Sequence, residues 1–407
     1  MPAPGLPILP LVLFGLTYLG LALGRIPGLK LDRTGFALLG AVGFLASGAL
    51  SLEAAKSAVD APTLVLLFGM MLLSAQYRLS GLYGVIGTRI AESRSARGLL
   101  LGTILASGLL SAVLTNDVVC FALTPLLAGA LLRARRDPLP YLLALACASN
   151  LGSALTPIGN PQNILISQSL NLPFLPFVLA CAAPAALSLV FLYWLLSRRL
   201  DGGAPPPAAP LDAADEIPLD RWQAGKALFL TAAAIALFLS PVPAWLTALA
   251  LSGVVLTSRR MLTRDMLGLV DWHLLALFVG LFVVVHGFEL SGWTAAGRAA
   301  LAAAGADLAR PAVLVPAVAV LGNLVGNVPA VMLLLPFVDR TAQTGYALAL
   351  ASTFAGNAVL VGSIANLIVA EQADRLGIPF RFRDHLRVGL PVTIVSLALA
   401  VAAMALW

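Results

Sequence analysis

Charge is scarce in this 407-residue chain: Asp, Glu, Lys and Arg together make up 11% of it, against 60% hydrophobic residues. Soluble domains average about 25% charged and about 45–50% apolar residues. With a mean hydropathy of +0.95, the solvent of this chain is a bilayer, which excludes a water-soluble enzyme. Cysteine is scarcer still. Cys120, Cys147 and Cys181 all lie in apolar segments, which gives neither a disulfide framework nor a zinc spacing. No Walker-type loop and no G-x-G-x-x-G occurs, so the chain itself hydrolyses no ATP; a separate ATPase subunit is possible but not implied. An intramembrane enzyme would need Gly-x-Ser-x-Gly, His-Glu-x-x-His or paired buried acids, and none is present.

What is present is apolar sequence. At about 20 residues per crossing the chain holds about ten to a dozen spans and no large extramembrane domain, which is transporter or channel size. Apolar runs fall near 5–24, 35–50, 61–76, 140–172, 173–196, 225–241, 244–257, 271–288, 343–371 and 388–407. Two further stretches, 98–133 and 310–339, each form two apolar arms broken by Thr115-Asn116-Asp117 and by Gly326-Asn327-Val328-Pro329. Each reads as a re-entrant hairpin.

The cations test this topology, because cytoplasmic loops carry excess Lys and Arg. A hairpin that enters and leaves on one side should be basic at both ends. Arg89, Arg94 and Arg97 precede the first, and Arg133, Arg135 and Arg136 follow it. Of the 25 cations, only Lys56, Arg298, Arg310 and Arg340 fall outside, and all are assigned to loops or span ends. That distribution argues against nucleic-acid binding and leaves no fixed positive charge at mid-depth. All six tryptophans (194, 222, 245, 272, 293, 407) lie near span ends, as interfacial belts require. The expected location is the inner membrane, with both termini extracytoplasmic.

An internal repeat appears at an offset of 211 residues. Asp60 falls on Asp271, Gly69 on Gly280, Leu79-Ser80-Gly81 on Leu290-Ser291-Gly292, Asn116 on Asn327 and Pro125 on Pro336. The offset becomes 203 for Gly159 with Gly362 and Asn163 with Asn366. The expected fold class is an all-α polytopic membrane protein of two inverted repeats, 1–200 and 223–407. Each has five crossings, one hairpin and one broken helix (140–172 and 343–371), and a Pro/Ala/Asp-rich cytoplasmic linker, 201–222, joins them. Inverted repeats of this kind mark secondary transporters.

Non-helical backbone survives at membrane depth only where protein or a cavity surrounds it, so the breaks mark the site. Four breaks should meet: the two hairpin tips, the run Thr156-Pro157-Ile158-Gly159-Asn160-Pro161-Gln162-Asn163, and Gly356-Asn357 through Gly362-Ser363-Ile364-Ala365-Asn366. The candidate substrate or ion ligands are Thr115, Asn116, Asp117, Asn150, Ser153, Thr156, Gly159, Asn160, Asn163, Asn327, Asn357, Ser363 and Asn366. Asp117 is the one carboxylate expected at a hairpin tip, where an ionisable group is costly and functional. It is the proton-coupling candidate, with a helix cap as the alternative. Asp60 and Asp271 read as N-caps, His286 and Glu289 as interfacial rather than a relay, and Cys120 and Cys147 as packing rather than metalloid ligands.

Thr115-Asn116-Asp117, Ala122-Leu123-Thr124-Pro125, Ser149-Asn150-Leu151-Gly152-Ser153 and Pro157-Ile158-Gly159-Asn160-Pro161-Gln162-Asn163 together resemble the ion transporter superfamily. Within it they are most similar to the branch of arsenite-pump membrane subunits, sodium/proton antiporters and citrate-transporter-like permeases. The resemblance covers nearly the whole chain. It implies inverted repeats, a homodimer and an elevator motion. Dicarboxylate members carry Ser-Asn-Thr at both hairpin tips; this chain has Thr115-Asn116-Asp117 and Gly326-Asn327-Val328, which favours the arsenite side. The expected activity is proton-coupled export of an arsenite-like metalloid or inorganic anion. The alternatives are a sodium/proton antiporter or a sodium-coupled carboxylate transporter. No cofactor is expected beyond a coupling ion, H+ or Na+, and no resident metal.

Overall fold

The computed structural model describes residues 6–24, 26, 28–200 and 217–405. Most of the expected linker, residues 201–216, lies outside the described residues, as does Trp407. The first half contains α1 (Ile8–Leu23), α2 (Arg33–Ala46), α3 (Leu52–Ala58), α4 (Ala61–Leu79), α5 (Leu82–Ala91), α6 (Ala96–Val113), α7 (Asn116–Arg133), α8 (Leu139–Ser153), α9 (Pro161–Ser169) and α10 (Phe174–Ser197). The second half repeats the order: α11 (Arg221–Phe238), α12 (Ala244–Leu256), α13 (Thr263–Leu267), α14 (Trp272–Leu290), α15 (Trp293–Ala303), α16 (Pro311–Val325), α17 (Asn327–Leu334), α18 (Ala342–Ala355), α19 (Ile364–Arg375) and α20 (Phe382–Met404). No strand occurs among the described residues. The chain is an all-α polytopic membrane protein of two inverted repeats. Among the described residues, α4, α6, α7, α10, α14 and α20 are long and apolar enough to cross a bilayer individually.

The repeat is visible element by element. Asp60 caps α4 by accepting from Thr63 N (3.3 Å) and Thr63 Oγ1 (2.7 Å), and Asp271 caps α14 by accepting from Leu274 N at 2.9 Å. The duplicated Leu-Ser-Gly run closes each of these helices, with Gly81 and Gly292 at φ 75° and 84°. It then opens α5 and α15, two short helices that apolar runs alone did not reveal. At ten and eleven residues they are too short to stand out as apolar spans, and α15 buries no residue at all.

The halves interlock rather than fold side by side. In one layer α2 packs on α14 and α4 on α12, with α1 and α11 alongside. In the other, α6 packs on α8, α16 on α18 and α10 on α20, while α7 crosses to α19 and α9 meets α17 and α18. Apolar helices in lipid gain little from hydrophobic burial, so close approach of backbones holds them together. Gly69 and Gly280 supply that approach at matched positions. A Cβ at Gly69 would stand 2.7 Å from Ala248 Cβ, and one at Gly280 would stand 2.8 Å from the Ala37 backbone carbon.

Overpacking a tight contact typically costs about 1–3 kcal/mol. Gly69→Val and Gly280→Val should therefore each lower the melting temperature of the detergent-solubilised protein by several degrees. Gly253→Val, where a Cβ meets open space, should not. Equal melting temperatures in all three, measured by intrinsic tryptophan fluorescence, would refute this packing account.

Candidate functional site

Both hairpins fold as two helices with an irregular tip. The first turns at Leu114-Thr115 between α6 and α7, and the second at Gly326 between α16 and α17, with a 3-10 turn at Leu335–Phe337. Gly326 has φ 98° and ψ 156°, a backbone region essentially closed to residues with a Cβ. The expected broken helices are also present: α8 and α9 are separated by residues 154–160, and α18 and α19 by 356–363 with a 3-10 turn at Leu360–Gly362.

Each tip lies against the break of its own half. Asn116 N donates to Gly159 O at 3.1 Å. In the second half, Asn323 Nδ2 donates to Ala355 O at 3.0 Å, just before the break. The two halves are then tied to each other by side-chain amides. Asn150 is the hub: its Nδ2 donates to Asn357 Oδ1 (2.8 Å) and Asn366 Oδ1 (3.2 Å), and its Oδ1 accepts from Asn116 Nδ2 (3.1 Å) and Ser363 Oγ (3.1 Å). One buried side chain of α8 thus joins the second break and α19 to the first tip.

The remaining candidates secure freed backbone. Asn160 caps α9 by accepting from Asn163 N at 2.8 Å, and its Nδ2 donates to Ser153 Oγ and Thr353 Oγ1. Asn163 Nδ2 donates to the carbonyls of Ser153 and Thr156, Ser153 Oγ to Asn150 O, and Thr156 Oγ1 to Ala112 O. Asn366 Nδ2 donates to Gly356 O at 2.8 Å, and Asn357 Nδ2 to Cys147 O at 3.2 Å. Asn150, Ser153, Thr156, Gly159, Asn160, Asn163, Asn357 and Asn366 therefore form the framework behind the tips and line neither of the cavities described next.

Thr115, Asn116, Asp117, Asn327 and Ser363 do face open space. A small cavity of about 50 Å³ lies between the two tips, lined by Asn116, Asp117, Gln162, Asn327, Ser363 and Arg33 among others. A larger one of about 230 Å³ adjoins it, lined by Thr115, Asp117, Phe121, Arg78 and the 268–271 turn. Asp117 borders both. It does not serve as a side-chain cap: the N-cap of α7 is Thr115, and Asp117 sits in the first turn. Asn116 Oδ1 and Asn327 Oδ1 are buried with no hydrogen-bond partner, and Asn327 Oδ1 lies toward α16, where a Cβ on Gly322 would stand 3.1 Å from it.

Arg33 and Arg78 correct the sequence-based picture of a site without fixed positive charge. Both belong to span ends, yet their long side chains reach the cavities, and Arg78 also stacks over the Phe121 ring at 4.4 Å. Two framework residues carried no sequence flag. Thr353 receives Asn160 Nδ2 at 3.1 Å and Gln162 Nε2 at 3.3 Å; the 203-residue offset from Asn150 lands on it and was signal enough. His385, fully buried in α20, has Nε2 3.0 Å from Asn357 O; a lone histidine near a span end gave no such signal. Cys120 and Cys147 are wholly buried and line neither cavity. His286 and Glu289 stand 3.9 Å apart, both partly exposed, toward the end of α14.

Two hairpins meeting two broken helices around a polar cavity at the junction of duplicated halves define a secondary transporter rather than an enzyme. The citrate transporter (CitMHS) family profile matches residues 18–355, and the chain belongs to that family. The silicon efflux transporter LSI3 of Oryza sativa subsp. japonica is 30% identical over 464 residues, covering 96% of each chain. Inner membrane protein YbiR of Escherichia coli is 32% identical over 330 residues, covering 80% of this chain and 83% of that one. The putative transporter arsB of Dictyostelium discoideum is 24% identical over 492 residues, with 92% and 87% coverage. Among solved structures, the Alcanivorax borkumensis YdaH transporter superposes with a TM-score of 0.60 at 16% identity, covering 98% of this chain and 96% of that one. Neisseria gonorrhoeae MtrF gives 0.61 at 16% identity, covering 100% and 96%. These two establish likeness of fold alone.

A buried group stripped of its partner costs about 1–3 kcal/mol. Asn150→Leu orphans several at once, so it should destabilise the purified protein by at least about 3 kcal/mol, whereas Ser363→Ala, which removes one bond, should cost about 1 kcal/mol. Reversible denaturant titration gives the order; equal losses would remove Asn150 as the hub.

Proposed function

We propose that the protein exports a small hydroxylated metalloid of the arsenite kind in exchange for protons. The observation that carries this reading is the tip cavity. It is small, about 50 Å³, and Asp117 is its one acidic side chain. A space of that size suits a few water molecules or one compact solute and not a tricarboxylate in its present shape. The names of the rice and Dictyostelium relatives, silicon efflux and arsB, favour the same solute chemistry. A carboxyl group at the mouth of the solute cavity can carry a proton when the solute is absent and release it as the solute enters, which couples the two fluxes.

The larger cavity reaches Asp117 past the 268–271 turn. That turn follows Arg259, Arg260 and Arg264, a cluster expected on the cytoplasmic side. On this reading the conformation faces inward, and both termini lie outside. Export then requires the hairpin and broken-helix layer to slide against the layer of α1, α2, α4, α11, α12 and α14, an elevator motion that carries the tips to the other face.

In inside-out vesicles acidified inside, arsenite or antimonite should release protons from the lumen and dequench a pH dye. Asp117→Asn should abolish the response while the protein still elutes as a folded species. Dequenching by sodium or lithium, with none by arsenite or antimonite, would replace this reading with a sodium/proton antiporter. An unchanged response in Asp117→Asn would strip that residue of its coupling role.

A further inference from the structure

Arg33 opens α2, half-buried, with Nε donating to Leu21 O at 3.3 Å. That bond to a carbonyl of α1 anchors one edge of the guanidinium. The other edge lies against the second hairpin tip: a Cβ placed on Gly326 would stand 3.2 Å from Arg33 Nη1 and 3.7 Å from Cζ. Gly326 therefore has two reasons to lack a side chain, its backbone angles and the room the guanidinium occupies. Among the described residues no carboxylate forms an ion pair with Arg33, although Asp117 lines the same cavity. The position 211 residues on is Ala244, so this charge is not duplicated in the other half.

The polar walls of the cavity are thus unlike one another. One carries the N–H donors of a fixed cation. The others carry acceptors: the Asp117 carboxylate and Ser363 Oγ, whose proton is directed to Asn150 Oδ1. A bare monovalent cation would be opposed by the guanidinium, and a simple anion by the Asp117 carboxylate. A neutral oxyacid with hydroxyl groups suits both, donating to the carboxylate and accepting from the planar N–H fork.

We propose that Arg33 is a specificity-determining residue that makes the tip cavity select hydroxylated oxyacids and reject bare alkali cations. This rests on the reading that the tip cavity is the solute site. The test uses the full-length protein in nanodiscs, with arsenite and sodium as probes in equilibrium binding and antimonite as the second oxyacid. Wild type should bind arsenite and show no competition by sodium. Arg33→Gln should weaken arsenite binding at least tenfold and let sodium compete. Arg33→Lys keeps the charge but loses the fork, and should fall between the two while still rejecting sodium; if Arg33→Gln fails to elute as a monodisperse, cooperatively melting species, this variant carries the comparison. Wild-type affinity and sodium rejection in Arg33→Gln, or in Arg33→Lys where it stands in, would overturn the role of Arg33 and leave the export reading intact. A wild-type protein that binds neither arsenite nor antimonite would overturn the export reading and the inference with it.

Discussion

A helix broken inside a bilayer exposes N–H and C=O groups that no water is present to satisfy, and each orphan costs several kcal/mol. This chain breaks its backbone four times at depth, so everything near the centre is arranged to supply partners. Asparagine is the residue for that task, because its short side chain offers donors and acceptors without bringing a charge. Asn160 and Asn163 bind the backbone of the first break, Asn366 that of the second, and Asn150 joins the second to the first tip. The carbonyl of Asn357 rests on α20 where Gly389 leaves room and His385 Nε2 meets it. The breaks are therefore held by a closed network of polar bonds, and the open space lies at the tips.

Duplication supplies the scaffold and divergence supplies the site. The framework positions drift without loss of bonding: Asn150 in one half answers to Thr353 in the other, and Asn160 to Ser363. Both members of each pair still hydrogen-bond across the junction. Helix contacts drift even less, since Gly69 against Ala248 and Gly280 against Ala37 are the same contact viewed from either half. A close backbone crossing tolerates no side chain, whereas a hydrogen bond can be made by an amide or a hydroxyl.

Much of this was legible in the sequence because it rests on composition and on breaks. Apolar runs gave the spans, Gly/Asn/Pro clusters gave the four interruptions, and the 211-residue offset gave the second copy. The short helices after Gly81 and Gly292 escaped, since ten or eleven residues are too few to stand out as an apolar span. Within the candidate set, the sequence could name the asparagines but not separate Asn116 and Asn327, which face the cavity, from Asn150 and Asn163, which face one another. That division depends on the direction of each side chain across a break, and no spacing rule fixes it. Arg33 and Arg78 escaped for another reason. Counting cations by loop assigns a side of the membrane to the Cα, while an arginine side chain extends several ångströms beyond it.

The charges that line the tip cavity are all on one copy, while the larger cavity adds Asp271 from the second half. Asp117, Arg33 and Arg78 belong to the first half, and the matching positions in the second hold Val328, Ala244 and Glu289. A transporter built from two equivalent halves can expose its site to either face with similar packing, which is what alternating access needs. Coupling needs the opposite. A proton carrier present in both halves would let two carboxylates face each other across a cavity of about 50 Å³, where like charges disfavour simultaneous ionisation and one would stay protonated throughout the cycle. Under the proposed coupling, a single Asp117 avoids that deadlock, and a single Arg33 leaves the net fixed charge of the tip cavity near zero when the carboxylate is ionised and positive when it carries a proton. On that proposal, loss of the proton would change the charge presented to an entering solute by one full unit.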